Sequence, residues 1–333
     1  MAMNVNSKEL IDVILEITAI KSKILLTENN IIKLSTKHED VRQIAEMIIN
    51  PNRGLRIYPD EFEGFILSVR KAIGSIEDDR DSTVIMVTGI NSLLKRGHNV
   101  EGAQNAVHEL VKNNKLYDVM MMSLLSIKYN TKVKTIIEVL KLFSEMQDRS
   151  SLFELFNPHK IVSNWDGIKS LNDLFETEII PKDSTIYFDR EFINYLANNT
   201  DEIDKIQWRN FERLVAEYFN RIGYDVSLGP GSHDGGIDIR VYNKERKENG
   251  PPLIIIQCKR YKEGNLVKVE TVKAFYADVV HESATVGLIA TTSRIEPAGK
   301  STIQARGYNL STAESHEISQ MINGMWRSHF DKY

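Results

Sequence analysis

Residues 229–259 read GPGSHDGGIDIRVYNKERKENGPPLIIIQCK, and this stretch decides the fold of the second half of the chain. A glycine-rich turn leads into an apolar segment around Asp238, and a polar loop at 244–250 separates it from a second apolar segment. Such a pattern predicts two strands that pair as a hairpin. Because side chains alternate along a strand, Gln257 and Lys259 lie on one face and Cys258 points to the other, toward the core.

In such a hairpin the strand that carries Asp238 brings its carboxylate to Gln257 and Lys259. Mg²⁺ prefers oxygen ligands, commonly one or two carboxylates together with water and substrate phosphate. Asp238 would supply the carboxylate, and the amide oxygen of Gln257 and the backbone carbonyl of Cys258 would be further ligands. Lys259 would hold or help deprotonate the attacking water. The set suits hydrolysis of a phosphodiester bond.

Five sequence blocks in this region resemble the catalytic domain of Mrr-type restriction endonucleases, a branch of the PD-(D/E)XK nuclease superfamily. In chain order they are NFERLVA at 210–216, GYDV at 223–226, DGGIDI at 234–239, QCKRY at 257–261 and ATTS at 290–293. The resemblance implies a restriction-endonuclease-like α/β domain, a mixed central sheet flanked by helices. It also implies that Asp238, Gln257 and Lys259 are catalytic. Superfamily members often carry glutamate where this chain has Gln257, and glutamine is common in the Mrr-like branch.

A helix predicted over 208–222 carries Glu212 on the flank of its apolar stripe. From the residues alone, Glu212 is either a hydrogen-bonding group at a domain edge or an auxiliary metal ligand. The resemblance favours the second interpretation, because the family places a glutamate close to the metal at this point. Glu212 is therefore expected to join the catalytic and metal-binding set. Glu217, on the same helix, is expected on the surface.

Six further residues are candidates for contacts with phosphate or substrate: Asp234, His233, Arg260, Lys262, Thr292 and Ser293. An aspartate in a glycine turn binds either a metal or its own backbone, and a turn histidine is either a general acid, a phosphate contact or a residue without a role. The two hydroxyl residues precede a predicted helix that starts at 296, where they would contact phosphate or only cap the helix. The glycine run is not a nucleotide-binding fingerprint, because its spacing differs and it precedes a strand.

The first half of the chain shows apolar side chains at helical spacing from residue 7 to about 148, which predicts an all-helical domain at 1–150. Turn signals mark a junction at 151–183. The nuclease-like domain at 184–333 is expected to run helix, three strands, helix, strand, helix and a final strand. The overall class is therefore α+β. Nothing in residues 1–150 carries recognisable chemistry, so a sensor and an oligomerisation domain both fit.

The composition gives 42 Lys and Arg against 46 Asp and Glu, a net charge of −4, without the strongly basic balance of many nucleic-acid binders. Basic clusters at 244–247 and 259–262 can nevertheless meet phosphate. A single cysteine excludes an internal disulfide and fits a reducing cytosol. No apolar stretch approaches the roughly 18 residues of a membrane helix, and no signal peptide is evident. The chain is expected in the cytoplasm, without a membrane partner.

The predicted activity is metal-dependent cleavage of DNA by an endonuclease that uses Mg²⁺, with Mn²⁺ as a substitute. The resemblance implies a role in defence against foreign DNA and action as a homodimer or higher oligomer. A regulatory partner or signal would act on the helical domain. Alternatives are a junction-resolving or RNA-cutting nuclease, a binding module that has lost catalysis, and a scaffold whose helical half keeps the nuclease silent until a signal arrives.

Overall fold

A computed structural model of the chain describes residues 2–78, 80–113, 115, 118–150, 167–231, 236–244, 250–262 and 264–330, apart from the side chains of 328–330. It forms two compact units, one of residues 1–72 and 76–168 and one of residues 73–75 and 169–333. None of the helices in these described ranges is long and apolar enough to cross a membrane. The functional division into a domain at 1–150, a junction at 151–183 and a domain at 184–333 stays a prediction.

The first unit is mainly helical, as predicted. Its helices are α1 Ser7–Ser22, α2 Glu28–Ser35, α3 Arg42–Ile49, α4 Pro59–Ala72, α5 Ser82–Lys95, α6 Val100–Lys112, α7 Val119–Lys128 and α8 Val133–Arg149, with a 3-10 helix at Glu39–Val41. Its short strands are β1 Met3–Asn6, β2 Ile24–Leu25 and β3 Gly54–Ile57. The antiparallel ribbon of β1 and β3 was not predicted, because segments of four residues give little periodic signal.

The last four helices of this unit pack around one apolar core. It contains buried residues from α5 to α8, namely Leu93, Val100, Ala103, Ala106, Val107, Leu110, Met122, Leu125, Ile136 and Val139. Polar residues begin three of these helices: Asp81, Asn99 and Asp118 each accept a hydrogen bond from a backbone N–H in the first turn. Such caps satisfy donors that a helix cannot pair internally, and so they define where each helix starts.

The second unit contains a helix–strand succession that matches the predicted order. Its helices are α9 Asp173–Glu176, α10 Arg190–Asn198, α11 Trp208–Arg221, α12 Val269–His281, α13 Pro297–Arg306 and α14 Ser315–Phe330, with a 3-10 helix at Thr200–Lys205. Its strands are β4 Lys169–Ser170, β5 Asp225–Leu228, β6 Ile239–Tyr242, β7 Ile254–Lys259, β8 Leu266–Val267, β9 Val286–Thr291, β10 Arg294–Ile295 and β11 Leu310–Ala313. Strand β6 starts one residue after Asp238, which the sequence had placed within the strand.

Five of these strands form one mixed sheet in the order β11-β9-β7-β6-β5. The β5/β6 and β6/β7 pairs are antiparallel, whereas β7/β9 and β9/β11 are parallel. Helices connect the parallel strands, as parallel pairing requires. The α+β class and the mixed sheet flanked by helices are thereby confirmed.

The core beside this sheet combines strand and helix residues. It contains Ile237, Ile255, Val267, Val272, Phe275, Val279, Ile289, Ile295 and Leu310. Gly287 in β9 lets α12 approach the sheet, since a Cβ there would lie 2.5 Å from a methyl of Val279 and 2.9 Å from the ring of Phe275. Strand β7 lies between β6 and β9 and packs on this core, and this fixes the position at which β7 ends.

Candidate active site

The carboxylate of Asp238 is held by the backbone of the neighbouring strand. Ile239 pairs with Ile256 in the antiparallel register, and one further residue along this register Asp238 stands opposite Gln257. The Asp238 N–H donates to the Ile256 carbonyl at 3.0 Å, and Asp238 Oδ2 accepts from the Cys258 N–H at 2.6 Å. The predicted meeting of Asp238 and Gln257 therefore occurs, and it follows from the period of two along each strand.

The side chain of Gln257 is oriented by one hydrogen bond and leaves its oxygen unpaired. Its Nε2 donates to the Gly236 carbonyl at 2.9 Å. Its Oε1 is buried and has no hydrogen-bond partner among the described residues. Turning the amide over would bring Oε1 against the Gly236 carbonyl, so the orientation is fixed. A buried oxygen without a donor is the atom that a bound cation would satisfy.

Three oxygen donors of this strand pair fit a hard divalent cation. They are the Asp238 carboxylate, the Gln257 amide oxygen and the Cys258 backbone carbonyl, which belong to the ligand types that Mg²⁺ takes. Within the described ranges, no group of three or more His, Cys, Asp and Glu side chains is placed to hold a metal ion.

Lys259 ends strand β7 two residues after Gln257, on the same face. Its side chain is half-buried, and its backbone carbonyl accepts from Thr291 Oγ1 at 2.8 Å and from the Thr292 N–H at 3.3 Å. The end of β9 thus fixes the backbone from which the ammonium group projects. This placement agrees with the predicted role of Lys259 at the reacting water or phosphate, and that role stays a prediction.

Glu212 lies on α11 and is only 4% exposed. Its Oε2 forms an ion pair with Arg209 Nη1 at 2.5 Å, and Arg209 itself is 7% exposed. The sequence interpretation did not include Arg209, because no motif marks it and two of its partners, Gly229 and Glu178, are distant in the chain. A signal existed nonetheless: Arg209 and Glu212 are three residues apart on a helix, the spacing at which charged side chains meet.

Cys258 is buried, as predicted from its place in the strand. Burial raises the pKa of its thiol well above the ordinary value, and the negative charges of Asp238 and Glu212 raise it further, while Lys259 and Arg209 act in the opposite direction. These four charged groups therefore all lie within electrostatic reach of one thiol. The contact of Cys258 with Asp238 is made by its backbone N–H, and a role of its carbonyl as a ligand stays a prediction.

The expectation for Glu217 was wrong. This glutamate is 1% exposed, and it accepts hydrogen bonds from the Tyr187 N–H at 2.8 Å and from Arg221 Nε at 2.6 Å. The helical pattern suggested a surface position because it does not reveal which other segment covers that side of α11. Glu217 is a structural carboxylate that joins the 187 region to the helix.

Four other predicted contact residues remain, two in the glycine turn and two just after Lys259. His233 and Asp234 fall outside the described residues. Arg260 is half-buried and its Nη1 donates to the Asp204 carbonyl at 3.0 Å, whereas Lys262 is exposed. The contact of Arg260 described above is with Asp204 and not with Asp238. Their roles toward substrate stay predictions.

The hydroxyls of Thr292 and Ser293 are engaged with backbone groups. Thr292 Oγ1 donates to the Tyr261 carbonyl at 2.7 Å and accepts from the Tyr261 N–H at 2.8 Å. Ser293 Oγ donates to the Asn265 carbonyl at 2.5 Å. Both side chains thus join the turn after β9 to the segment after Lys259. Contact with phosphate stays a prediction for them, and the observed bonds give them a structural role.

A cleft of about 730 Å³ opens at the edge of the sheet where β9 and β11 end. Its lining includes both hydroxyl residues, the exposed side chain of Arg294, and residues of the 3-10 helix and the start of α14: Thr200, Asp201, Ile203, Asp204, Ser315 and His316. Ligands of open α/β sheets bind at the carboxyl ends of parallel strands. The cleft is therefore a candidate place for a ligand at this end of the sheet.

Comparison with known proteins assigns a class to this part of the chain. Residues 203–322 match the family model Mrr_cat, which is described as a restriction endonuclease. The resemblance predicted from the five sequence blocks is confirmed. This match and the mixed sheet flanked by helices identify a domain of the restriction-endonuclease type in the second half of the chain.

Two individual proteins also match part of the chain. The uncharacterized protein y4cE of Sinorhizobium fredii is 30% identical over 97 residues, which are 29% of this chain and 24% of that protein. The chain thus matches about a quarter of the length of this curated relative. A solved structure of the MspJI restriction endonuclease in complex with a 27-mer oligonucleotide aligns with a TM-score of 0.32 and 16% identity, over 47% of this chain and 39% of that one.

Proposed function

We propose that the protein is an endonuclease that hydrolyses DNA phosphodiester bonds with Mg²⁺, for which Mn²⁺ can substitute. One observation carries the proposal: the buried, unpaired Gln257 Oε1 stands opposite a carboxylate that the Cys258 N–H holds in place. Leaving such an oxygen unpaired costs about 1–3 kcal/mol, so a partner that offsets this cost is expected. A divalent cation is the partner that fits a carboxylate and two neutral oxygens.

Each residue has a distinct task in this reaction. Asp238, the Gln257 amide oxygen and the Cys258 carbonyl would hold the cation, and Glu212 would assist from α11. When bound, Mg²⁺ supplies a water of lowered pKa and positive charge beside the phosphate. Lys259 would donate to the attacking water and neutralise charge that develops on the phosphate oxygens.

Basic groups near the sheet edge support a phosphate-bearing substrate. Lys262 and Arg294 are exposed, and Arg260 donates to the Asp204 carbonyl. Contacts of Lys and Arg with phosphate supply most of the sequence-independent affinity for DNA. We assign the DNA backbone to this edge, with Thr292, Ser293, His233 and Asp234 as further proposed contacts.

The first unit is proposed to bring two copies of the chain together and to receive a regulatory signal. Helix α7 exposes Val119, Met120, Leu124 and Ile127, with 69%, 76%, 57% and 80% of each residue accessible. Apolar residues exposed together on one helix face are typical of an interaction surface. Two copies would allow both DNA strands to be cut, in a cytoplasmic role in defence against foreign DNA.

A substrate panel tests the proposed reaction. The full-length protein is incubated with duplex DNA, duplex RNA and a four-way DNA junction of matched sequence, each with Mg²⁺, Mn²⁺ or a chelator. The expected result is metal-dependent cutting of duplex DNA, with Asp238→Ala inactive. Preferential cutting of RNA or of the junction would contradict the choice of substrate, and cutting in chelator would contradict the role of the metal.

A further inference from the structure

Arg209 makes three contacts, two of which lead to the candidate active site. Its Nη1 pairs with Glu212 Oε2 at 2.5 Å, its Nη2 donates to the Gly229 carbonyl at 2.5 Å, and its Nε lies 3.4 Å from Glu178 Oε1. The guanidinium group is planar and presents its donors in a rigid fork, so one side chain fixes several acceptors in a set geometry. Arg209 therefore sets the position of its partners relative to one another.

Through Gly229, Arg209 is also linked to Asp238, the proposed catalytic aspartate. The Gly229 N–H donates to the backbone carbonyl of Asp238 at 2.7 Å, while the Gly229 carbonyl accepts from Arg209. The turn is also closed onto the guanidinium group, because a Cβ at Gly231 would lie 3.1 Å from Arg209 Nη1. A continuous path of polar contacts thus runs from Glu212 through Arg209 and Gly229 to Asp238.

Arg213, one turn further along α11, shows which of these contacts are special to Arg209. Its guanidinium donates to Glu178 Oε1 at 2.6 Å and 2.8 Å. Its ion pair is also with Glu178, so these contacts of Arg213 do not reach Glu212 or Gly229. Arg213 therefore holds Glu178. The contacts that distinguish Arg209 from Arg213 are those to Glu212 and Gly229.

We propose that Arg209 is a positioning residue of the nuclease: it fixes the Glu212 carboxylate and the Gly229 turn relative to Asp238. The inference rests on the proposed function, since it concerns the arrangement of that same site. Residues that orient metal ligands typically change metal affinity or activity by about 10–100-fold when they are removed. None of these contacts involves a residue to which the DNA backbone is assigned above, so KM for DNA is expected to change little.

The test compares full-length wild type with Arg209→Met, Arg209→Lys and the matched control Arg213→Met. Binding of Mn²⁺ is measured by calorimetry without DNA, and kcat and KM are measured on supercoiled plasmid. We expect Arg209→Met to weaken Mn²⁺ binding and lower kcat by about tenfold or more, with KM for DNA within about twofold. Arg209→Lys should be intermediate, because lysine keeps the charge and loses the fork. Arg213→Met should match wild type.

Each outcome decides the inference. Equal Mn²⁺ affinity and kcat in Arg209→Met and Arg213→Met would overturn it. If Arg209→Met fails to fold in thermal unfolding, Arg209→Lys takes its place, and a wild-type Mn²⁺ affinity in that variant would overturn the inference. If wild type binds no Mn²⁺ and Asp238→Ala cuts as well as wild type, the proposed function itself fails, a result that is distinct from a positioning failure.

Discussion

The Cys258 N–H donates to Asp238 Oδ2 at 2.6 Å, so the strand that carries Gln257 and Lys259 also fixes the carboxylate opposite them. A charge-assisted bond of this kind is short and directional. It orients the aspartate before any ligand arrives. The arrangement proposed to be catalytic is thus part of the sheet itself, and its parts can be altered one at a time.

Replacing Gln257 by leucine removes the unpaired amide oxygen together with the Nε2 bond to the Gly236 carbonyl. We expect Mn²⁺ affinity to fall about tenfold, by analogy with other losses around metal sites. Folding stability should change by less than about 1–2 kcal/mol, because the lost bond is offset by removal of a buried unpaired oxygen. Calorimetry and urea unfolding measure the two effects. Gln257→Glu should bind Mn²⁺ more tightly than wild type, and unchanged affinity in both variants would exclude Gln257 from the site.

Replacing Gly236 by alanine should disturb Gln257 through its backbone turn. The residue has φ +88°, and a Cβ there would lie 3.0 Å from Gln257 Nε2. Gly223 is a matched control, with φ +100° and no neighbouring atom within 4 Å of its Cβ position. Both variants should lose about 1–3 kcal/mol through backbone strain. Only Gly236→Ala should also lose cleavage activity, and equal activity in the two variants would show that the Gln257 amide is not held by this turn.

Alkylation by iodoacetamide should be slow at Cys258 in the folded protein. Burial raises the pKa of the thiol, and Asp238 and Glu212 raise it further, so the reactive thiolate is scarce at neutral pH. The chain has one cysteine, which makes the measurement by mass spectrometry unambiguous. Protein unfolded in urea serves as the control and should react at the rate of a free thiol. A folded protein that reacts at that same rate would contradict the buried position of Cys258.

The first unit should show acid sensitivity that depends on Asp78. Burial by itself would raise the pKa of Asp78, but hydrogen bonds from Arg80 and the charge of Arg149 lower it to about 2. Since this folded-state pKa is below the ordinary value of 3.8, the stabilisation is present above pH 3.8 and is lost as the pH falls through about 2.

Asp78→Asn should therefore lower the free energy of unfolding at pH 6 by about 1–3 kcal/mol, with the difference vanishing near the lower pKa. Urea unfolding at several pH values measures it. Asp40→Asn is the control, because the Asp40–Lys71 ion pair is largely exposed and such pairs contribute about 0–1 kcal/mol. An effect of Asp78→Asn that does not vary with pH would contradict the low pKa.

How much of the site could be predicted from the sequence depends on how far apart in the chain the contacting residues are. Asp238 and Gln257 lie opposite each other, as expected, because side chains alternate with a period of two along the paired strands. Cys258 was correctly expected in the core for the same reason. The alternation of side chains along a strand was sufficient to predict contacts between residues on adjacent strands.

Arg209 and Glu217 show where local periodicity fails. Arg209 meets the Gly229 carbonyl 20 residues away, and Glu217 accepts from the Tyr187 N–H 30 residues away. Both side chains are charged, and a helical pattern assigns charged residues to the solvent face. Their burial depends on how other segments fold over α11, which only the three-dimensional structure reveals.

Nicking of supercoiled plasmid by wild type, Asp238→Asn and Lys259→Met, measured as Mg²⁺ or Mn²⁺ is titrated, tests the central claim most directly. Wild type should nick only with metal and reach saturation. Asp238→Asn should require far more metal, and Lys259→Met should lose about 100-fold or more in rate even at saturating metal. Nicking by Asp238→Asn at the wild-type rate and metal requirement would contradict the assignment of this strand-end site as the active centre.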